Sequence, residues 1–203
     1  MRVKRSDCIL AVVDVQDRLI DTIAEHQAVI KNIKALVQAA KVLQVPILGT
    51  EQEKLGDTVP ELKSLLPDAP TRKLTFSCFE SREFKSKLNA TGRNTVIICG
   101  IETHICVMQT VLDLLVWRHK VIVARDATSS HDSIDRETAI HRMESSGAMI
   151  STSEAIIYEL TEQAGTDEFK RILDIVKDRR TTSKEELKLP KARRSLKPEH
   201  SGG

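Results

Sequence analysis

Aromatic side chains are scarce: four Phe, one Tyr and one Trp make up 3% of the 203 residues. A surface built to stack nucleobases needs more of them. Charge of one sign is lacking as well, since 31 basic and 29 acidic residues leave a formal net charge of +2. No global field therefore draws a polyanion to the chain. The apolar runs are short and separated by charges, far from the length that crosses a bilayer, and Met1-Arg-Val-Lys-Arg-Ser-Asp7 leads into a strand pattern without the apolar stretch of a cleavable signal. The expectation is a soluble cytoplasmic protein with neither nucleic acid nor membrane as a partner. Neither G-x-G-x-x-G nor G-x-x-x-x-G-K-[ST] occurs, which argues against a nucleotide-binding loop. Cys8, Cys78, Cys99 and Cys106 show no C-x-x-C or Cys/His spacing, and two of them lie inside apolar runs. They read as reduced thiols, with no metal and no cofactor implied.

What the chain does contain is a repeated alternation of apolar, β-branched runs with helical periodicity. Cys8 to Val15, Val45 to Thr50, Lys120 to Thr128 and Ala148 to Thr152 read as strands, as does the central apolar run Ile97-Ile98-Cys99 after the turn at Thr91 to Asn94, and Thr71 to Phe79 reads as a less regular segment. Between them Val29 to Leu43, Pro60 to Leu66, Glu83 to Leu88, Thr103 to Trp117 and Ile134 to Ser146 carry helical spacing, followed by Glu154 to Glu162, with Ser153 as its expected cap, and Phe169 to Val176. Trp117 reads as a packing residue. This pattern predicts a three-layer Rossmann-like α/β fold with a mostly parallel central sheet of about six strands. One domain is expected over residues 1–178. Beyond Asp178 basic residues outnumber acidic ones and apolar periodicity stops, so residues 179–203 are expected to form a basic, flexible tail, solvated rather than bound to nucleic acid.

Three residues fall at the ends of strand-like runs: Asp14, Lys73 and, just past Gly100, Cys106. In a parallel sheet all carboxyl ends face one crevice, the place where α/β proteins bind ligands. A thiol beside a carboxylate that takes its proton and a lysine that favours the anion is the equipment of nucleophilic hydrolysis. The start of a helix at Cys106 is expected to lower the thiol pKa further. His131 and Asp132 are adjacent in a loop and point apart, so they read as solvated rather than as a relay.

These segments, in this order, resemble the isochorismatase-like cysteine hydrolase superfamily. Val-Val-Asp14-Val-Gln16 is similar to its aspartate strand, Arg-Lys73-Leu-Thr-Phe-Ser-Cys-Phe79 to its lysine segment, and Gly100-Ile-Glu-Thr-His-Ile-Cys106-Val to its nucleophile turn. Thr50-Glu-Gln52 and Leu55-Gly56 resemble the isochorismatase-domain branch in particular. The resemblance implies that Cys106 attacks a carbonyl carbon, that Asp14 moves the proton and that Lys73 supports the pair. It implies a cis peptide at Ile101-Glu102, an oxyanion hole made by the amides of Glu102 and Cys106, and a thioester intermediate. Gln16, Glu51, Gln52, Phe76 and His104 are the substrate-binding candidates, with Glu102 and Cys78 open as further pocket residues. Nicotinamidase-like members carry an Asp-x-His metal motif where this chain has Glu51-Gln52-Glu53, so zinc is not expected. True isochorismatases dispense with the cysteine, so an amide-like bond of a small molecule is favoured over isochorismate. The resemblance also implies a homo-oligomer. The alternative is a catalytically degenerate domain acting as a binding protein.

Overall fold

The computed structural model describes residues 2–188. Among these, β1 (Cys8–Val13), β2 (Ile47–Gln52), β3 (Thr71–Lys73), β4 (Thr95–Ile101), β5 (Lys120–Ser129) and β6 (Met149–Ser151) form one sheet in the order β3-β2-β1-β4-β5-β6. Every pairing is parallel. The helices are α1 (Asp17–Ile20), α2 (His26–Val42), α3 (Pro60–Lys63), α4 (Arg82–Ala90), α5 (Met108–Val116), α6 (Ser133–Ser145), α7 (Ser153–Thr161) and α8 (Asp167–Lys188).

The nearly all-apolar strands follow from burial on both faces. In β1, Cys8, Leu10 and Val12 pack with α2, α7 and α8, while Ile9, Ala11 and Val13 pack with α4, α5 and α6. The period of two continues in β4, where Ile97, Cys99 and Ile101 face the first set and Val96 and Ile98 the second. Strand order reverses between β1 and β4, and the crevice outside their carboxyl ends is where such sheets hold ligands. Gly100 makes the close approach there possible. Its φ is +123°, and a Cβ at this position would lie 2.1 Å from the Val13 carbonyl oxygen.

Several local expectations change. Thr103 to Trp117 is not one uniform helix: Thr103–Val107 is a π-helical turn, and α5 starts at Met108. Such turns widen the helix locally and concentrate at functional sites. Ser153 is not the cap of α7. Thr152 fills that role through its side chain, and Ser153 instead donates from N and Oγ to the Asp126 carboxylate, both at 2.6 Å. Trp117 is not buried; its indole is 66% exposed, with Phe79 at a 5.8 Å centroid distance and the Lys85 ammonium 5.9 Å away.

The domain edge expected after Asp178 falls inside α8, which runs to Lys188. Arg179 anchors this helix. Its guanidinium donates to Asn32 Oδ1 at 2.7 Å, Glu154 Oε2 at 2.9 Å and Asp126 Oδ2 at 3.0 Å, while Arg180 pairs with Glu154. Residues 189–203 of the expected tail lie outside the described residues. Truncation after Asp178 is therefore expected to cost about 2 kcal/mol, the scale of hydrogen bonds between charged groups, and to lower Tm by about 4–8 °C. Thermal melts of the truncated chain beside Arg179→Ala measure this. An unchanged Tm in both would show that the network contributes nothing.

Candidate active site

Asp14 is the first residue after β1, and it leaves the extended conformation with φ +50°. Its amide still donates to the Thr50 carbonyl at 3.2 Å, so the carboxylate sits at the sheet edge between β1 and β2. Lys73 ends β3, two strands away, and its long side chain spans β2 to donate to Asp14 Oδ2 at 2.6 Å. Both side chains are fully buried. The rest of the ammonium is held by Gln52 Oε1 at 2.8 Å and by the carbonyls of Phe76 at 3.1 Å and Thr75 at 3.2 Å. Burial alone would lower the Lys73 pKa, but the polar groups packed around the ammonium, the Asp14 carboxylate among them, outweigh it and hold the group above its ordinary value. Lys73 is a permanent buried cation.

The second carboxylate oxygen, Asp14 Oδ1, accepts from Thr50 Oγ1 at 2.7 Å. Thr50 is 2% exposed and was not among the candidates read from sequence. A hydroxyl at a strand end carries no signal by itself; its role comes from the parallel register that pairs Thr50 with Val13. Cys106 lies in the π-helical turn after β4, near enough to the same carboxylate for Asp14 to act on its thiol. The expected lowering of its pKa is reversed. Burial first, and the negative charge of Asp14 second, push the Cys106 thiol up, and Lys73 offsets only part of this. The resting set is thus a thiol, a carboxylate and an ammonium, with the proton on sulfur. The structure brings the three expected residues together.

The Ile101-Glu102 peptide is cis, as the resemblance implied. After it the chain turns sharply, the Glu102 carbonyl accepting from the amides of Ile105 and Val107 at 3.2 Å each. Inward, Thr128 Oγ1 donates to Gly100 O at 2.7 Å and lies 2.8 Å from Thr103 Oγ1, fixing the turn to β5.

An isochorismatase-domain model matches residues 8–155, a span that contains every member of this set. The chain belongs to the isochorismatase family. Isochorismatase-family proteins similar to it include the secreted isochorismatase effector Isc1 of Phytophthora sojae, 38% identical over 84% of each chain. Among solved structures, the MAR1 ribonuclease of Caenorhabditis elegans superposes with a TM-score of 0.81 at 34% identity, over 87% of this chain and 92% of that one. YcaC of Escherichia coli, described as an octameric hydrolase of unknown specificity, gives a TM-score of 0.82 at 26% identity over 94% and 98%. The family is one of hydrolases, with the α/β fold seen here.

For this isochorismatase-family chain the substrate-binding candidates separate. Gln16 is fully buried; its amide donates to the Gln52 and Gly56 carbonyls at 3.0 and 2.7 Å and its oxygen accepts from Gln52 N at 2.8 Å. Glu51 Oε1 accepts from Thr58 N and Oγ1, both at 2.8 Å. Both hold the loop after β2 in place, and the Gln16 amide is fully used in doing so, which corrects its reading as a substrate ligand. Glu51 also lies 3.6 Å from Arg72 through Oε2 and, with Gln52, lines a cavity of about 470 Å³ between Arg18, Lys54, Asp57 and Arg72, a volume suited to a small molecule; Gln52 touches Lys73 as well. Phe76 holds Lys73 through its carbonyl while its ring is half exposed. His104 Nδ1 lies 2.9 Å from Ser130 Oγ, and Glu102 Oε2 accepts from His131 N at 3.0 Å, so both serve the turn that carries the thiol. Among the described residues no three His, Cys, Asp or Glu side chains converge on a metal position, and no helix is long and apolar enough to cross a membrane.

Proposed function

We propose that the protein is a cysteine hydrolase of small amide-like molecules that works without a metal. The observation that carries this reading is the Asp14 carboxylate, held by Lys73 and Thr50 beside the Cys106 thiol. Cys106 Sγ attacks the carbonyl carbon as its proton passes to Asp14. The amides of Glu102 and Cys106 stabilise the oxyanion, an effect on the order of 10²–10³ in rate for one donor. Asp14 returns the proton to the leaving nitrogen, and ammonia or an amine departs. Water then attacks the thioester while Asp14 takes its proton, and the acid and the thiol are released.

Lys73 neutralises the Asp14 charge in a dry site and orients the carboxylate through a 2.6 Å hydrogen bond. The intact set of Asp14, Lys73 and Cys106 at one sheet edge favours this reading over the binding-only alternative. An RNA substrate, suggested by the name of the Caenorhabditis relative, would favour a basic wall, whereas the cavity beside Gln52 sets Arg18 and Arg72 against Glu53 and Asp57. The octameric YcaC supports a homo-oligomer, as do Val116 and Trp117, apolar side chains exposed by 77% and 66%. The reading places the protein in the cytoplasm, where its four buried cysteines stay reduced.

Iodoacetamide mapped by mass spectrometry tests the nucleophile. Cys106 is expected to label before Cys8 and Cys99, which face the other side of the sheet and are fully buried. Because the Cys106 pKa is raised, little thiolate exists near neutrality, and labelling should climb through the alkaline range without an earlier plateau. Chelators should leave it unchanged. Equal labelling of all four cysteines would sink the assignment, whereas a plateau of Cys106 labelling near pH 7 would show the thiol ionised at rest.

A further inference from the structure

Cys78 is a second buried thiol that the hydrolytic reading leaves idle. It sits just past Lys73, in the short turn before α4, and packs in the same cluster as Cys106 on one face of the sheet. Its Sγ lies 3.5 Å from Thr50 Oγ1, the hydroxyl that donates to Asp14 Oδ1 at 2.7 Å. The Thr50 proton is directed at Asp14, so Cys78 is the donor in that contact. Thus Cys78 reaches through Thr50 the same carboxylate that acts on the Cys106 thiol. Their backbones are also tied together. Cys78 N donates to Thr110 Oγ1 at 2.8 Å, and Thr110 Oγ1 donates to Cys106 O at 2.6 Å, so a single hydroxyl bridges the two cysteines.

We infer that Cys78 is the resolving thiol for Cys106, and that peroxide converts the pair to a reversible disulfide that switches the active site off. The inference rests on Cys106 being the nucleophile proposed above. In the first step the Cys106 thiol, its proton taken by Asp14, attacks a peroxide oxygen. The O–O bond breaks, sulfur is oxidised to the sulfenic acid, and the departing hydroxide leaves as water with the proton from Asp14. In the second step the Cys78 proton passes through Thr50 to Asp14 and Cys78 Sγ attacks Cys106 Sγ. The S–O bond breaks, and the released hydroxide takes up that proton as a second water. Two thiols and one peroxide give one disulfide and two waters.

The π-helical turn suits this step, because a widened turn of backbone carries Cys106. Cys78 is pushed up to about 11 by burial and then by the charge of Asp14, with Lys73 opposing, so it stays a thiol until a base takes its proton. Cys8 and Cys99 pack on the opposite face of the sheet and have no such route.

The test is hydrogen peroxide treatment of the full chain, followed by alkylation and non-reducing peptide mapping. The expected result is a Cys78–Cys106 cross-linked peptide that dithiothreitol removes with recovery of free Cys106. In Cys78→Ala, and in Cys78→Ser as the milder change, no cross-link forms. Cys106 there should take up two or three oxygens irreversibly, about tenfold faster than in the wild type. Wild-type protein that accumulates those acids at Cys106 while Cys78 remains free overturns the inference, as does a cross-link mapped to Cys8 or Cys99. A Cys106 that labels with iodoacetamide but never pairs with Cys78 overturns it and leaves the hydrolase reading standing. A Cys106 inert to both reagents overturns both.

Discussion

Replacing Asp14 by Asn is expected to slow both Cys106 alkylation and substrate turnover by about 10²–10⁴, the range spanned by removing a positioned general base. The geometry explains why no neighbour substitutes. Asp14 is the carboxylate that Lys73 and Thr50 hold beside Cys106, and Asn is isosteric but cannot take the thiol proton. Burial, the larger cause of the raised thiol pKa, persists in the variant, so the thiol still does not ionise by itself near neutral pH and the loss of its acceptor outweighs the loss of the Asp14 charge. The measurement is the Cys106 labelling rate, with ammonia release from a panel of small amides and ureides as the catalytic readout, and circular dichroism to show that the variant is folded. A folded variant whose labelling falls by less than about twofold would remove Asp14 from the mechanism.

The largest effect on stability is expected from Lys73→Ala. Sequence reading makes this change look mild, since lysines normally sit at the surface. Here both side chains of the Lys73–Asp14 pair are fully buried at 2.6 Å. Removing the ammonium leaves a carboxylate uncompensated in a dry site and three acceptors, Gln52 Oε1 and the Thr75 and Phe76 carbonyls, without their donor. Breaking one side of a buried pair costs about 3–5 kcal/mol. The pH dependence follows from sign. The Lys73 pKa is raised in the folded protein, so its stabilising contribution is fully present at neutral pH and below, and fades only as alkaline pH rises through the folded value. Denaturant unfolding at pH 7 measures the loss. Pairing Lys73→Met with Asp14→Asn, which removes both charges, should restore part of it. A single variant as stable as the parent, or a double variant no better than the single, would show that the pair is not the anchor described.

The fold was legible because its signals are local. Continuous apolar runs mark strands buried on both faces, and their alternation with helical periodicity leaves few arrangements other than a parallel three-layer sheet. Helix ends were less legible, since a cap is decided by which partner a side chain finds: Ser153 turns to Asp126, and Thr152 caps in its place. Arg179 looked like part of a basic tail because nothing in its neighbourhood along the chain reveals that Asn32, Asp126 and Glu154 converge on it.

The same division runs through the site. Sequence by itself determined which side chains stand at the carboxyl edge, because a residue at the end of a parallel strand can be nowhere else; Asp14 and Lys73 were found on that ground, and Cys106 from its place in the turn past Gly100. Only the tertiary structure decided what they touch and in which protonation state they rest. Thr50 and Lys73 meet Asp14 across 36 and 59 residues of chain, contacts set by strand register and the reach of a lysine across β2. The Cys106 thiol keeps its proton for the same reason. A helix start at Cys106 would favour the thiolate, but burial and an adjacent carboxylate favour the thiol more strongly, and both arise only when the sheet closes around them.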